Sequence, residues 1–128
     1  KKYLNKNKIG IIFNLDPHDK PGSHWVAMFA DFDKENKVYY FDSYGYKEPN
    51  EVTRLMNRLK QQGEELNKNT TLHVNNIRHQ YKNSECGVYS MNFIIKMLGG
   101  DSFEKVTNNI IDDDNMEKNR SELYIKYF

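Results

Sequence analysis

Cys86 is the only cysteine of the chain. It is followed by Gly87 and then by Val88, Met91, Phe93, Ile94, Ile95, Met97 and Leu98, the spacing of a mostly buried helix that Gly99-Gly100 can end. A thiol attacks a carbonyl efficiently only as its thiolate. At a helix N-terminus beside an imidazolium its pKa falls from about 8.5 into the range of about 3.5 to 7.5. Cys86 is therefore a candidate nucleophile. Gly87 leaves room for a substrate carbonyl to approach the backbone, where N–H groups at the helix start could hold an oxyanion. A lone cysteine is more often a small buried hydrophobe, so the reading depends on what stands beside it.

Two residues could stand there. His24 opens the strand-like run HWVAMFADFD and Asp42 closes VYYFD, with Lys34-Glu35-Asn36-Lys37 between them as a connection of hairpin length. If these strands pair antiparallel, the imidazole and the carboxylate arrive at the same end of the sheet. Asp42 could then bind one ring nitrogen and leave the other to take the Cys86 proton. Gln80, six residues before Cys86 in a polar loop, could add a side-chain amide donor for the oxyanion. Taken singly, these are a turn histidine, a strand-ending carboxylate and a loop glutamine. A metal site built from His18, His24, His73, His79 and Cys86 is disfavoured, because no pair has helical i, i+4 or C-x2-C spacing. No metal is expected.

The elements that must position these groups are visible as periodicities. Ile9 to Leu15 reads as a strand running into a turn-rich stretch from Asp16-Pro17 through Pro21-Gly22-Ser23. After Ser43-Tyr44-Gly45, Val52, Leu55, Met56 and Leu59 predict an amphipathic helix ending near Gly63. Thr70 to Ile77 alternates as a strand with one wet face, and a polar loop from Arg78 to Glu85 leads to the nucleophile helix. Weaker helical patterning surrounds Phe103 to Ile111 and Met116 to Tyr124, broken by Asp112-Asp113-Asp114. These elements predict an α+β fold with an antiparallel sheet packed against the helix that carries the nucleophile. At 128 residues the chain fits one domain spanning residues 1–128. The opening Lys1 in place of Met reads as a piece of a longer chain.

With 19 Lys+Arg against 18 Asp+Glu, alternating in sign along the chain, no basic stripe suggests a nucleic-acid partner. No apolar run approaches the roughly 18 to 20 residues that span a bilayer. One cysteine excludes an internal disulfide, which fits a reducing, intracellular setting and not a secreted protein.

Taken together, Ser23-His24-Trp25, Tyr40-Phe41-Asp42-Ser43 and Gln80-x5-Cys86-Gly87 resemble the adenovirus-proteinase and SUMO-protease clan of cysteine peptidases (clan CE, Ulp-like), in the clan's order of His, Asp, Gln and Cys. The resemblance runs from about Ile9 to Leu98. It implies a papain-like fold and hydrolysis of peptide or isopeptide bonds, often after glycine, with Trp25 lining a narrow channel that admits small residues. Asp42-Ser43-Tyr44-Gly45 followed by Pro49 is similar to the proteinases of large DNA viruses, which process virion precursor proteins. That implies a monomer in host cytoplasm or virion acting on a polyprotein with glycine near the scissile bond. The alternative within the clan is an isopeptidase that removes SUMO or a ubiquitin-like modifier. A non-catalytic module of the same fold is disfavoured, because His24, Gln80 and Cys86 are all present. The adenovirus enzyme's covalent peptide cofactor requires a second cysteine partner, so no such cofactor is expected here.

Overall fold

A computed structural model of the chain describes residues 7–15, 24–82 and 86–127. The expected turn from Asp16 to Ser23, with His18, lies outside the described residues, as do the last three positions of the loop before Cys86.

The two strand-like runs on either side of Lys34–Lys37 pair antiparallel as predicted, and a further strand borders them. Strand β1 (Lys8–Asn14) runs antiparallel to β2 (Trp25–Asp31), with Asn14 opposite Trp25 and Lys8 opposite Asp31. Strand β3 (Lys37–Phe41) returns antiparallel to β2, Asp31 opposite Lys37 and Ala27 opposite Phe41. The connection is closed by the buried Asp31, whose carboxylate accepts the N–H groups of Asp33 (2.8 Å) and Lys34 (3.2 Å). Asn36, at φ 53°, supplies the left-handed residue the turn needs.

Helix α1 (Asn50–Glu65) then carries the chain to β4 (Thr71–Val74), which pairs with β3 in parallel, Lys37 opposite Thr71 and Tyr40 opposite Val74. The sheet is antiparallel over its first three strands and gains one parallel pair at β4. The physical reason is α1: a parallel neighbour needs a crossover of a dozen or more residues, and the helix provides it. The helix also runs two residues past Gly63. It closes on Asn67 (φ 60°), with the Lys68 N–H bonded to the Gly63 carbonyl and the Asn67 N–H to the Glu64 carbonyl, the bond pair of a left-handed helix cap. Gly63 instead marks a close approach: a Cβ there would fall 2.2 Å from Thr70 Oγ1 and 2.9 Å from the Phe32 ring.

Helix α2 (Cys86–Leu98) begins at the cysteine and is capped by Gly100 (φ 97°), whose N–H bonds the Met97 carbonyl. Helices α3 (Phe103–Asn108) and α4 (Asp113–Tyr127) follow. Asp112-Asp113-Asp114, expected to break the pattern, starts α4: Asp112 Oδ1 accepts the Asn115 N–H at 2.8 Å, and negative charge in a first turn complements the helix dipole.

Both faces of the sheet are covered. Val26, Met28, Ala30, Val38 and Tyr40 pack on Val52, Met56 and Leu59 of α1. Ala27, Phe29, Tyr39 and Phe41 pack on Tyr89, Phe93 and Met97 of α2 and on Phe103 and Val106 of α3. Phe41 and Phe93 stack with ring centroids 4.7 Å apart. Burial on both faces is why β2 reads as an unbroken apolar run and not as an alternating one.

Gly63→Ala is expected to lower stability by about 1 to 3 kcal/mol through overpacking, where an unobstructed helical glycine would gain about 0.5 to 1 kcal/mol on the same change. Urea unfolding reads the sign, and a stabilised variant would refute the close packing of α1 on Thr70 and Phe32.

Candidate active site

Trp25, the first residue of β2, fixes α2 to the sheet. Its N–H donates to Cys86 Sγ at 3.4 Å and its carbonyl accepts the Ser90 hydroxyl at 3.1 Å. Cys86 and Ser90 are four residues apart, so they lie one above the other on a single helix face. The thiol is thereby set at the end of β2 where the chain enters from His24.

His24 and Asp42 meet at the same sheet end, as antiparallel pairing requires. His24 Nε2 lies 2.9 Å from Asp42 Oδ2, and the carboxylate is buried. The other carboxylate oxygen accepts the Tyr44 N–H at 2.8 Å. The imidazole also hydrogen-bonds Cys86, and with Nε2 on Asp42 it is Nδ1 that faces the thiol. The Asp42 hydrogen bond, followed by that to Cys86, raises the His24 pKa from 6.5 to about 9 against the opposing effect of burial. Burial pushes the Cys86 thiol up. The His24 hydrogen bond, the Trp25 N–H, the imidazolium charge and the Gly87 N–H outweigh it, and the thiol lies below its ordinary value. The position at the start of a 13-residue helix acts in the same direction. Both shifts act in the direction of a thiolate–imidazolium pair, a state able to attack a carbonyl and then return a proton to a leaving amine.

Gln80 is fully buried and not the solvated loop residue its neighbours suggest. Its backbone N–H and that of His79 both donate to the Ser43 carbonyl, at 2.9 and 2.7 Å. Its side-chain Oε1 accepts the Ser43 hydroxyl at 2.6 Å. That bond orients the amide, and Nε2 is left buried with no hydrogen-bond partner among the described residues. A buried amide N–H without a partner costs roughly 1 to 3 kcal/mol.

The turn that holds Asp42 therefore also holds Gln80. The Gly45 N–H closes the turn on the Asp42 carbonyl at 2.8 Å. Gly45 itself sits at φ 77°, where a Cβ would come within 3.0 Å of the Ile77 and Arg78 backbone. Asn75, buried beyond β4, donates through Nδ2 to the Asp42 carbonyl at 3.1 Å and accepts the Ile77 N–H at 3.0 Å. Ser43 and Asn75 are the site residues that sequence reasoning overlooked. Ser43 lay within a motif read only for its aspartate, and Asn75 has no local signature beyond ending a strand.

Trp25 is 37% exposed, and its indole borders Gly87. A Cβ on Gly87 would meet only Trp25 Cδ1 and Cγ, both at 3.9 Å, an ordinary contact. The protein itself does not require a glycine there, so the open space beside the thiol is available to an incoming chain. Of the histidines weighed for a metal, His73 Nε2 lies 2.9 Å from Thr71 Oγ1 and His79 Nε2 2.9 Å from the Thr107 carbonyl. Among the described residues no group of three or more His, Cys, Asp or Glu is placed to hold a metal ion.

A cysteine, a histidine and an aspartate joined by hydrogen bonds at the junction of a helix and a sheet define the class of the papain-like cysteine peptidases. The chain belongs to the Ulp1 protease family: residues 1–127 match that family's C-terminal catalytic domain. It is 39% identical over 120 residues to the cysteine protease S273R of African swine fever virus (Tick/Malawi isolate), covering 92% of this chain and 44% of that protein. It is 40% identical over 104 residues to the putative thiol protease R355 of Acanthamoeba polyphaga mimivirus, covering 80% of this chain and 34% of the relative. The crystal structure of the African swine fever virus pS273R protease superposes with a TM-score of 0.81 at 38% identity, over 91% of this chain and 43% of that one. The chain thus spans less than half the length of these relatives. The expected α+β fold of this clan holds.

One of the four histidines should titrate near 9 by NMR of the ring Cε1 proton, while burial holds His73 and His79 below their ordinary value. In Asp42→Asn the high value should fall toward 6.5, because the neutral amide stabilises the imidazolium less. Four histidines all titrating below 7 in the wild type would refute the charged pair.

Proposed function

We propose that the chain is the catalytic portion of a cysteine endopeptidase that cleaves protein precursors after small residues, glycine above all. The observation that carries this reading is the hydrogen-bonded line from Asp42 through His24 to Cys86 at the start of α2. In it the Cys86 thiolate attacks the scissile carbonyl, and Asp42 holds the ring so that His24 can protonate the departing amine. Water then releases the acyl group. The unpartnered Nε2 of Gln80 donates to the oxyanion of the tetrahedral intermediate, joined by backbone N–H groups at the helix start.

The placement of Trp25 beside Gly87 supports the preference for glycine, since a larger side chain next to the thiol would approach the indole. The relatives reported above come from viruses, which supports precursor processing in a host cell or virion as the setting. A second reading, removal of a SUMO-like modifier through its glycine tail, is favoured by one specific observation. A 38% identical protein of another African swine fever virus isolate (Pig/Kenya/KEN-50/1950) carries the name SUMO-1 cysteine protease S273R. The two readings separate on substrate: cleavage of a glycine-containing peptide library but not of a SUMO conjugate supports the endopeptidase, and the reverse supports deconjugation.

Cys86→Ala should abolish turnover. Gln80→Ala should lower kcat about 100-fold to 1,000-fold while leaving the rate of Cys86 alkylation by iodoacetamide unchanged, since that reaction forms no oxyanion. Full turnover by Cys86→Ala would end the assignment, and an unaltered kcat in Gln80→Ala would return Gln80 to a structural role.

Gly87→Ala should melt no lower than wild type and still lose kcat/KM on a glycine substrate, whereas Trp25→Ala should widen the range of residues accepted before the scissile bond. Peptide-library profiling checks both. Unchanged selectivity in both variants would show that the passage lies elsewhere.

A further inference from the structure

Gln80 is useful as an oxyanion donor only if its distance from Cys86 is held, yet the segment from Ile77 to Lys82 belongs to no strand or helix. On its N-terminal side Gln80 is anchored to the Ser43 turn by backbone and side chain, and its carbonyl accepts Arg78 Nε at 2.8 Å. On its C-terminal side the next two residues are held from an unexpected quarter. Asp113, the first residue of α4, accepts the Tyr81 N–H and the Lys82 N–H on its Oδ2, each at 3.0 Å. Lys82 Nζ adds an ion pair to the adjacent Asp114 at 3.2 Å, and the Lys82 carbonyl accepts the Tyr44 hydroxyl at 3.1 Å.

The same carboxylate reaches the nucleophile helix. Asp113 Oδ1 lies 3.1 Å from the hydroxyl of Tyr89, which sits three residues after Cys86 in α2; that hydroxyl is also within 2.7 Å of the Ile111 carbonyl and 3.2 Å of the His79 carbonyl. Its one proton is shared among these acceptors, the nearest being Ile111. One side chain of α4 thus touches both the loop that carries the oxyanion donor and the helix that carries the thiol.

We infer that Asp113 is a positioning residue that sets the spacing of Gln80 from Cys86, an inference that rests on the reading of Gln80 given above. A carboxylate suits the task physically. Bonds from neutral N–H groups to an ionised acceptor are roughly twice as strong as neutral ones, and the negative charge is favoured in the first turn of α4. Two bonds to adjacent backbone N–H groups also fix the direction of the chain as it leaves Gln80.

The test is a double-mutant cycle in the full chain, with a peptidyl-Gly-Gly aminocoumarin amide as substrate and iodoacetamide labelling of Cys86 run in parallel. Asp113→Ala is expected to lower kcat about 10-fold to 100-fold, the scale that a displacement near 1 Å costs, with KM little changed. The labelling rate and its pH profile should match wild type, because the thiolate–imidazolium pair does not involve Asp113. Asp113→Asn, which keeps an acceptor without the charge, should recover part of the rate. The double variant Gln80→Ala/Asp113→Ala should be no slower than Gln80→Ala alone. Losses that multiply in the double variant, or labelling that slows in step with turnover, would overturn the inference and leave Asp113 a general stabiliser of the fold. If Asp113→Ala does not fold, the same cycle run with Asp113→Asn decides it. An undiminished rate in Gln80→Ala would remove the oxyanion reading itself, and the role of Asp113 with it. A loss in Gln80→Ala but none in the Asp113 variants would remove only the latter.

Discussion

The peptide unit of Trp25 is the contact on which the site depends. Its N–H goes to Cys86 and its carbonyl to Ser90, so both polar groups of one strand residue are satisfied by one face of α2. That pair of bonds fixes the helix along β2 as well as against it, and hydrophobic packing alone would not. The stacked rings of Phe41 and Phe93 and the buried Phe29 and Tyr89 supply the burial, but apolar contact is non-directional and would tolerate a slide of the helix. Because His24 immediately precedes Trp25, the clasp that seats the thiol also brings the imidazole to it.

The electrostatics follow from this placement. Cys86 and Asp42 are both buried, and burial opposes charge on either group. The imidazole between them resolves the conflict: as a cation it neutralises two anions in turn, one held by its Nε2 and the other facing its Nδ1. Its own pKa of about 9 is the consequence. Because that value lies above the ordinary 6.5, its contribution to stability is fully present below pH 6.5 and is lost as pH rises through about 9.

A single turn holds two of the site's side chains. Residues 42–45 present the Asp42 carboxylate to His24, while Ser43 holds both the backbone and the amide of Gln80. Asn75 buttresses the turn from below, and Gly45 permits the backbone of the Gln80 segment to lie against it. Asp42 and Gln80 are thereby coupled through a few short bonds, and the bonds from Asp113 of α4 hold the far side of the Gln80 segment.

Much of this was legible in the residues themselves. Local periodicity located β1, β2, β3, α1 and α2 to within a few positions, placed Cys86 at a helix start, and through the hairpin put His24 and Asp42 at one sheet end. These features depend on near neighbours, and a period of 2 or 3.6 residues records them. The sequence alone did not reveal that β4 would lie parallel to β3, because pairing direction depends on how α1 crosses the sheet. Gly63 looked like a helix end and proved a point of contact with Thr70 and Phe32, and Asp112 to Asp114 looked like a break and proved the start of α4. Gln80 is marked by the sequence as a candidate oxyanion donor in a polar loop, but its burial is not, because Ser43, 37 positions away in the chain, imposes it. The tertiary structure decided which polar groups find partners across the fold. A residue type records what a side chain can bond, and only the packed chain determines what stands opposite it.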